Sequence, residues 1–263
     1  MTSSVLLDRQ GSTLVITLNK PERRNAFDLD MRRAIAEAVQ AARDEDNVKA
    51  VVLTGAGDTF CAGGDLKSLT EDERPAWDCR DRVRRLHPWF RELVNLEKPV
   101  IAAVEGAAFG AGFNLALASD IVIAAADARF CAAFARIGLI PDLGGLYLLP
   151  RIVGLQRAKE IVFTARELDA QEAMSMGIAF AVRPNGATLD EAMGLAARFA
   201  DAPTEALGMA KNILNRSFNL DQDTLAELES YAQAIAMQTD YHRGAVRRFL
   251  DKKPLNYKWV QSR

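Results

Sequence analysis

Apolar residues along this chain fall into short unbroken runs and into longer stretches where they recur every three or four positions. Residues 5–7 and 14–18 are runs on either side of Gln10-Gly11-Ser12, and read as two strands joined by a turn. Met31, Ile35, Ala38 and Val39 share one face of a helix running to about Arg43, with Asp28 or Asp30 placed to cap its start. Ala50-Val51-Val52-Leu53 is apolar without alternation, as a strand buried on both faces requires, and Thr54-Gly55-Ala56-Gly57 ends it. Residues 75–96 are predicted as one Arg-rich helix with Val83, Leu86, Phe90 and Leu93 as its apolar stripe. A second buried strand spans 99–104, a short helix about 112–118, and a third strand 120–125. This recurrence of strand, helix and strand predicts an α/β core. Beyond about residue 164 the period is helical: 170–176, 189–200, 204–216, 224–238 and 241–250. A soft boundary falls at 195–203, around Asp201-Ala202-Pro203.

Composition narrows the choice of function. The 263 residues are 49% apolar and 26% charged, the balance of an ordinary folded protein. A net charge of −2 gives no basic surplus, so nucleic acid is not an expected partner. Gly, Asp or Glu breaks every apolar stretch before the roughly 18–20 residues of a membrane span. The first residues lack the basic start and long apolar run of a secretory leader. Two histidines, His87 and His242, and three scattered cysteines, Cys61, Cys79 and Cys131, predict neither a zinc cluster nor a disulfide scaffold. Scattered free cysteines fit a reducing cytoplasm.

Two segments carry candidate chemistry. Gly57-Asp58-Thr59-Phe60-Cys61-Ala62-Gly63-Gly64-Asp65-Leu66 follows the buried strand at 50–53. Glu105-Gly106-Ala107-Ala108-Phe109-Gly110-Ala111-Gly112-Phe113-Asn114 follows the strand at 99–104 and opens a helix, whose first N–H groups lack intrahelical partners. Small residues let other groups approach the backbone. Two such turns after neighbouring strands are suited to aim two N–H groups at one oxygen, which is an oxyanion hole. Either turn alone also reads as a tight turn packed under a helix.

Taken with further motifs, these segments resemble the crotonase family, the enoyl-CoA hydratase/isomerase superfamily. The resemblance begins at Asn19-Lys20-Pro21-Glu22-Arg23-Arg24-Asn25-Ala26-Phe27 and includes Lys98-Pro99-Val100-Ile101-Ala102-Ala103-Val104-Glu105-Gly106. It continues through Gly138-Leu139-Ile140-Pro141-Asp142-Leu143-Gly144-Gly145 to Phe249-Leu250-Asp251-Lys252. It implies a spiral of ββα units over residues 1–197, binding an acyl-CoA, and a helical trimerisation region over 198–263. The expected assembly is a homotrimer or a dimer of trimers. No separate cofactor is implied, since CoA arrives as part of the substrate. By position, Gly64 and Ala111 supply the oxyanion N–H groups. Arg24, Ala26 and Ala62 fall where the family holds the adenine end of CoA, and Asp65 and Leu66 are expected in the same CoA-binding set, though Asp65 also reads as fixing its own loop. Phe249 and Lys252 match positions that complete the CoA site, sometimes from a neighbouring subunit. Arg23, Arg24 and Lys252 also read as solvated surface charges.

The acids distinguish the reactions within the family. A typical hydratase uses two glutamates, and the matching positions here are Asn114 and Phe134. Neither is a general acid or base at neutral pH. Asp142 remains. An aspartate before a helix start also suits an N-cap, but in the family this position carries the acid of several isomerases. The segment 134–142 and the run 110–117 resemble the phenylacetate-pathway isomerases. The expected activity is therefore an acyl-CoA isomerase that moves a double bond with Asp142 as its one acid/base. A hydratase is the first alternative; an aryl-CoA dehalogenase or hydrolase and a non-catalytic acyl-CoA binder follow. His87 aligns with a histidine of the dehalogenases, and also reads as lining the acyl pocket. Cys61 has no base near it in sequence, which argues against a nucleophile.

Overall fold

The computed structural model describes residues 3–66, 75–257 and 259. Strands β1 (Val5–Gln10), β2 (Thr13–Leu18), β3 (Ala50–Gly55), β4 (Val100–Val104), β6 (Ile121–Ala125) and β9 (Ala181–Arg183) lie side by side in that order. β1 and β2 form an antiparallel hairpin, and each later neighbour is parallel. A smaller sheet holds β5 (Ala107–Phe109), β7 (Arg129–Cys131) and β8 (Glu167–Asp169). A bridge between Cys61 and Ala108 extends this sheet to the segment after β3. Successive turns of chain thus lay one strand in the large sheet and a second in the small one. With the intervening helices this is the spiral of ββα units that the resemblance implies.

The helices are α1 (Leu29–Asp44), α2 (Ala76–Arg84), α3 (His87–Val94), α4 (Ala111–Leu117), α5 (Gly145–Val153), α6 (Leu155–Thr164), α7 (Ala170–Ser175) and α8 (Thr188–Ala197), then α9 (Thr204–Leu214), α10 (Gln222–Met237) and α11 (Asp240–Leu250). Asp28 caps α1, its side chain accepting from the Met31 N–H at 2.9 Å. The unbroken apolar strands are explained by cover on both faces. Val51, Leu53, Ala102 and Val104 join the core beneath α1. Their neighbours Ala50, Val52, Ile101 and Ala103 pack with Ala192, Leu195 and Ala196 of α8. Across α9 to α11, Gly208 is the one fully buried position among the described residues.

Two expectations need correction. The helix predicted over 75–96 is two helices, parted at Arg85 and Leu86. Pro88 is the second residue of α3; proline lacks the N–H a continuing helix needs and is tolerated only in a first turn. The break leaves Val83 on the exposed side, while Leu86, Phe90 and Leu93 are buried as predicted. The region after residue 164 is also not purely helical, because β8 and β9 interrupt it.

Candidate active site

The two small-residue turns meet at the edge of the small sheet. Ala62 N–H donates to the Arg24 carbonyl at 2.9 Å, and Phe27 N–H to the Gly63 carbonyl at 2.7 Å. Phe109 N–H donates to the Cys61 carbonyl at 2.9 Å, joining the second turn to the first. Glycine is needed where they touch. Gly63 has φ of 99°, and a β-carbon there would lie 2.7 Å from the Phe109 carbonyl oxygen and 3.7 Å from the Ala111 nitrogen. A β-carbon on Gly112 would lie 2.3 Å from the Cys61 carbonyl oxygen. Gly64 and Ala111 are left with N–H groups that donate to no backbone acceptor among the described residues. For Ala111, the first residue of α4, that is the ordinary condition of a helix start.

Phe134 links these turns to a cavity of about 650 Å³. Its ring lies 3.8 Å from where a β-carbon on Gly110 would stand. The cavity is mostly apolar, with Phe134, Leu139, Ile140 and Leu146 in its wall. Its charged and polar lining includes Asp142, His87, Arg32, Arg82 and Cys79. Asp142 is the one carboxylate lining it among the described residues.

Asp142 does not cap the following helix. α5 starts at Gly145, its N-cap is Gly144, and no side chain bonds there. Asp142 Oδ1 is instead buried with no hydrogen-bond partner among the described residues. Burial pushes this carboxyl above its ordinary range, opposed by the Arg32 charge, its own backbone N–H and His87. Arg32 Nε is likewise buried without a hydrogen-bond partner. Burial and the like charge of Arg82 lower the Arg32 pKa, while Asp142 and Asp28 raise it. The Asp142 backbone is held firmly: its carbonyl accepts from Asn114 Nδ2 at 2.8 Å and from the Gly145 N–H at 2.9 Å. Arg32 escaped the sequence reading, because on α1 it is one more polar residue beside Met31. Its cavity neighbours stand about 50 and 110 positions away.

The other predicted residues separate into two groups. Arg24 adopts a left-handed turn with φ of 51°, and Ala26 and Ala62 adjoin it half-buried. Asp65 accepts from Arg23 Nη2 at 3.0 Å. Leu66 is exposed beside them. Phe249 is 72% exposed, and neither it nor Lys252 lines the cavity of the single chain. Burial pushes the Cys61 thiol up to about 12, unsuited to a nucleophile. No group of His, Cys, Asp and Glu that could hold a metal occurs among the described residues.

A model of the enoyl-CoA hydratase/isomerase family matches residues 8–260. The chain belongs to this family. Among enoyl-CoA hydratase/isomerase family members it is 39% identical to a 1,2-epoxyphenylacetyl-CoA isomerase of Escherichia coli, over 96% of this chain and 97% of that one. It is 32% identical to a short-chain-enoyl-CoA hydratase of Clostridium acetobutylicum, over 96% and 97%. The crystal structure of an enoyl-CoA hydratase/isomerase from Cupriavidus metallidurans superposes with a TM-score of 0.94 at 38% identity, covering 100% of this chain and 99% of that one. The chain is thus similar to relatives named for both reactions.

Proposed function

We propose that this enzyme isomerises an acyl-CoA thioester, moving a double bond between the 3,4 and 2,3 positions or making a related ring rearrangement. The observation that carries this reading is the lone carboxylate. Asp142 faces the cavity, while the two positions that hold a hydratase's glutamates are Asn114 and Phe134. The likeness to an isomerase at 39% identity supports it. Moving a proton between two carbons needs one acid/base, whereas hydration also needs a second group to hold water.

In the proposed mechanism the thioester carbonyl accepts from the Gly64 and Ala111 N–H groups. Negative charge that develops on this oxygen as the α-proton leaves is thereby stabilised. Asp142, ionised, takes that proton and returns it two carbons along, which restores the carboxylate. Phe134, Leu139 and Ile140 give the pocket an apolar wall beside the enolate. The turn at Arg24 to Ala26 and the Ala62 carbonyl hold the adenine end of CoA. Assembly as a homotrimer or a dimer of trimers is part of this reading. It is supported by exposed apolar side chains, including Phe180, Leu214 and Phe218, around a second cavity of about 820 Å³.

The hydratase reading draws on the relative of that name. Incubation with 3-hexenoyl-CoA and, separately, with 2-butenoyl-CoA, followed by the absorbance of the conjugated thioester, distinguishes the two. Isomerisation predicts a rise with the first and no loss with the second. A loss with the second would establish hydration and overturn the reading of Asn114 and Phe134.

A further inference from the structure

We propose that Asn114 is the positioning residue of this site: its buried amide clamps the backbone of Asp142 and so sets the place of the carboxyl relative to the Ala111 N–H. The inference rests on the reading of Asp142 as the acid/base.

Asn114 is 2% exposed, and its Nδ2 donates to the Asp142 carbonyl at 2.8 Å. The backbone just beyond Asp142 is one the chain leaves readily unless held. Leu143 has φ of 41°, a left-handed conformation that a leucine rarely adopts, and Gly144 follows with φ of 68°. Asn114 also fills the space against the start of α5, where a β-carbon on Gly145 would lie 2.5 Å from both amide atoms. A strained turn therefore has two restraints on one carbonyl, the Gly145 N–H within the turn and the Asn114 amide from α4.

The second restraint couples two parts of the mechanism. Asn114 stands three residues after Ala111 in α4, so one rigid helical turn carries both the free N–H and the clamp on Asp142. A glutamate at 114 would offer no donor to the carbonyl and would add a like charge beside Asp142. The loss of one hydratase acid and the fixing of the remaining acid are thus one substitution. Asn114 acts through the Asp142 backbone and makes no bond to its carboxyl.

The test compares Asn114→Ala and Asn114→Asp with the unsubstituted enzyme and with Asp142→Asn. It measures kcat, KM and the pH profile on 3-hexenoyl-CoA, with thioester affinity and thermal midpoint alongside. Both Asn114 variants are expected to lose at least about tenfold in kcat with KM held within about twofold, since small misplacements of a reacting group carry large rate penalties. The acidic limb of the profile should move in opposite directions. In Asn114→Ala the released carboxyl gains water, its pKa falls, and the limb moves to lower pH. In Asn114→Asp the new carboxylate opposes ionisation of Asp142, and the limb moves to higher pH. Arg32, Arg82 and His87 face Asp142 in every variant, so they do not create this difference. Asn114→Asp keeps the side-chain volume and decides the matter if the alanine variant fails to fold. A kcat within about twofold and an unmoved limb in a folded variant would reduce Asn114 to packing. If Asp142→Asn keeps its activity, the acid/base reading itself falls. If it is inactive while both Asn114 variants behave as the unsubstituted enzyme, the positioning inference alone falls.

Discussion

Lys98 and Asp142 are both charged side chains largely withdrawn from water, and the fold treats them in opposite ways. Lys98 is 8% exposed at the end of α1, and its ammonium donates to the carbonyls of Ala42, Arg43 and Glu45 at 2.5, 3.2 and 2.7 Å. Those of Ala42 and Arg43 belong to the last turn of α1, which leaves carbonyls without intrahelical partners, and that of Glu45 also accepts from the Val48 N–H. Glu105 behaves similarly, accepting from Gly186 N–H and from both the N–H and hydroxyl of Thr188. In the cavity, by contrast, Asp142 Oδ1 and Arg32 Nε have no hydrogen-bond partner among the described residues. A buried polar group without a partner weakens a fold, so its persistence beside a cavity points to a ligand or a reaction. Lys98 and Glu105 join segments distant in sequence, while Asp142 Oδ1 and Arg32 Nε keep bonding capacity in reserve.

The largest expected effect separates chemistry from scaffold at Asp142. Asp142→Asn should lower isomerase turnover by about 10²–10⁴-fold, the usual contribution of a general acid/base, with thioester affinity retained. Steady-state kinetics and calorimetry measure the two parts, and retained turnover would end the comparison. Next comes the backbone donor at Ala111. Proline fits the first position of a helix, where it removes the N–H that has no backbone acceptor among the described residues and sets a ring methylene in its place. Ala111→Pro should therefore fold yet lose about 10²–10³-fold in rate, as when one oxyanion donor is removed. An unchanged rate would show that this N–H contacts no reacting oxygen. Lys98→Met gives the smallest effect on rate and sharpens the contrast from the other side. It leaves the end of α1 without its cation and should reduce stability by about 1–3 kcal/mol in denaturant titration. Its kcat per folded molecule should not change.

The sequence disclosed most of the scaffold because burial on two faces leaves a plain signature. β3 and β4 are unbroken apolar runs, and the buried side of α1 repeats Met31, Ile35, Ala38 and Val39. The three-residue strands β5, β7, β8 and β9 are too short to show a period and are defined by the strands they pair with. The break between α2 and α3 was signalled by Pro88, but the apolar spacing ran through it. In the site, Asp142, Phe134 and His87 were legible through motifs, and the structure lines one cavity with all three. The role of Asn114 was not legible. Its residue type showed only that a glutamate was missing, and its bond to Asp142 spans 28 positions. Arg32 was hidden for the same reason, since a cavity assembled from α1, α2, the start of α3 and the 134–147 segment has no local pattern.

The most direct test of the contrast is the thermal midpoint of Asp142→Asn against the unsubstituted enzyme from about pH 4 to about pH 9. The folded pKa of Asp142 is raised, so the folded state binds its proton more tightly than the unfolded state does. Ionisation therefore costs stability, and that cost grows as pH rises from the unfolded value through the folded one. Asparagine carries no such cost. The variant should be more stable than the unsubstituted enzyme near neutral pH, with the difference closing as pH falls. A variant less stable at every pH would mean that the Asp142 carboxylate holds the fold together, and would contradict the claim that it is kept for chemistry.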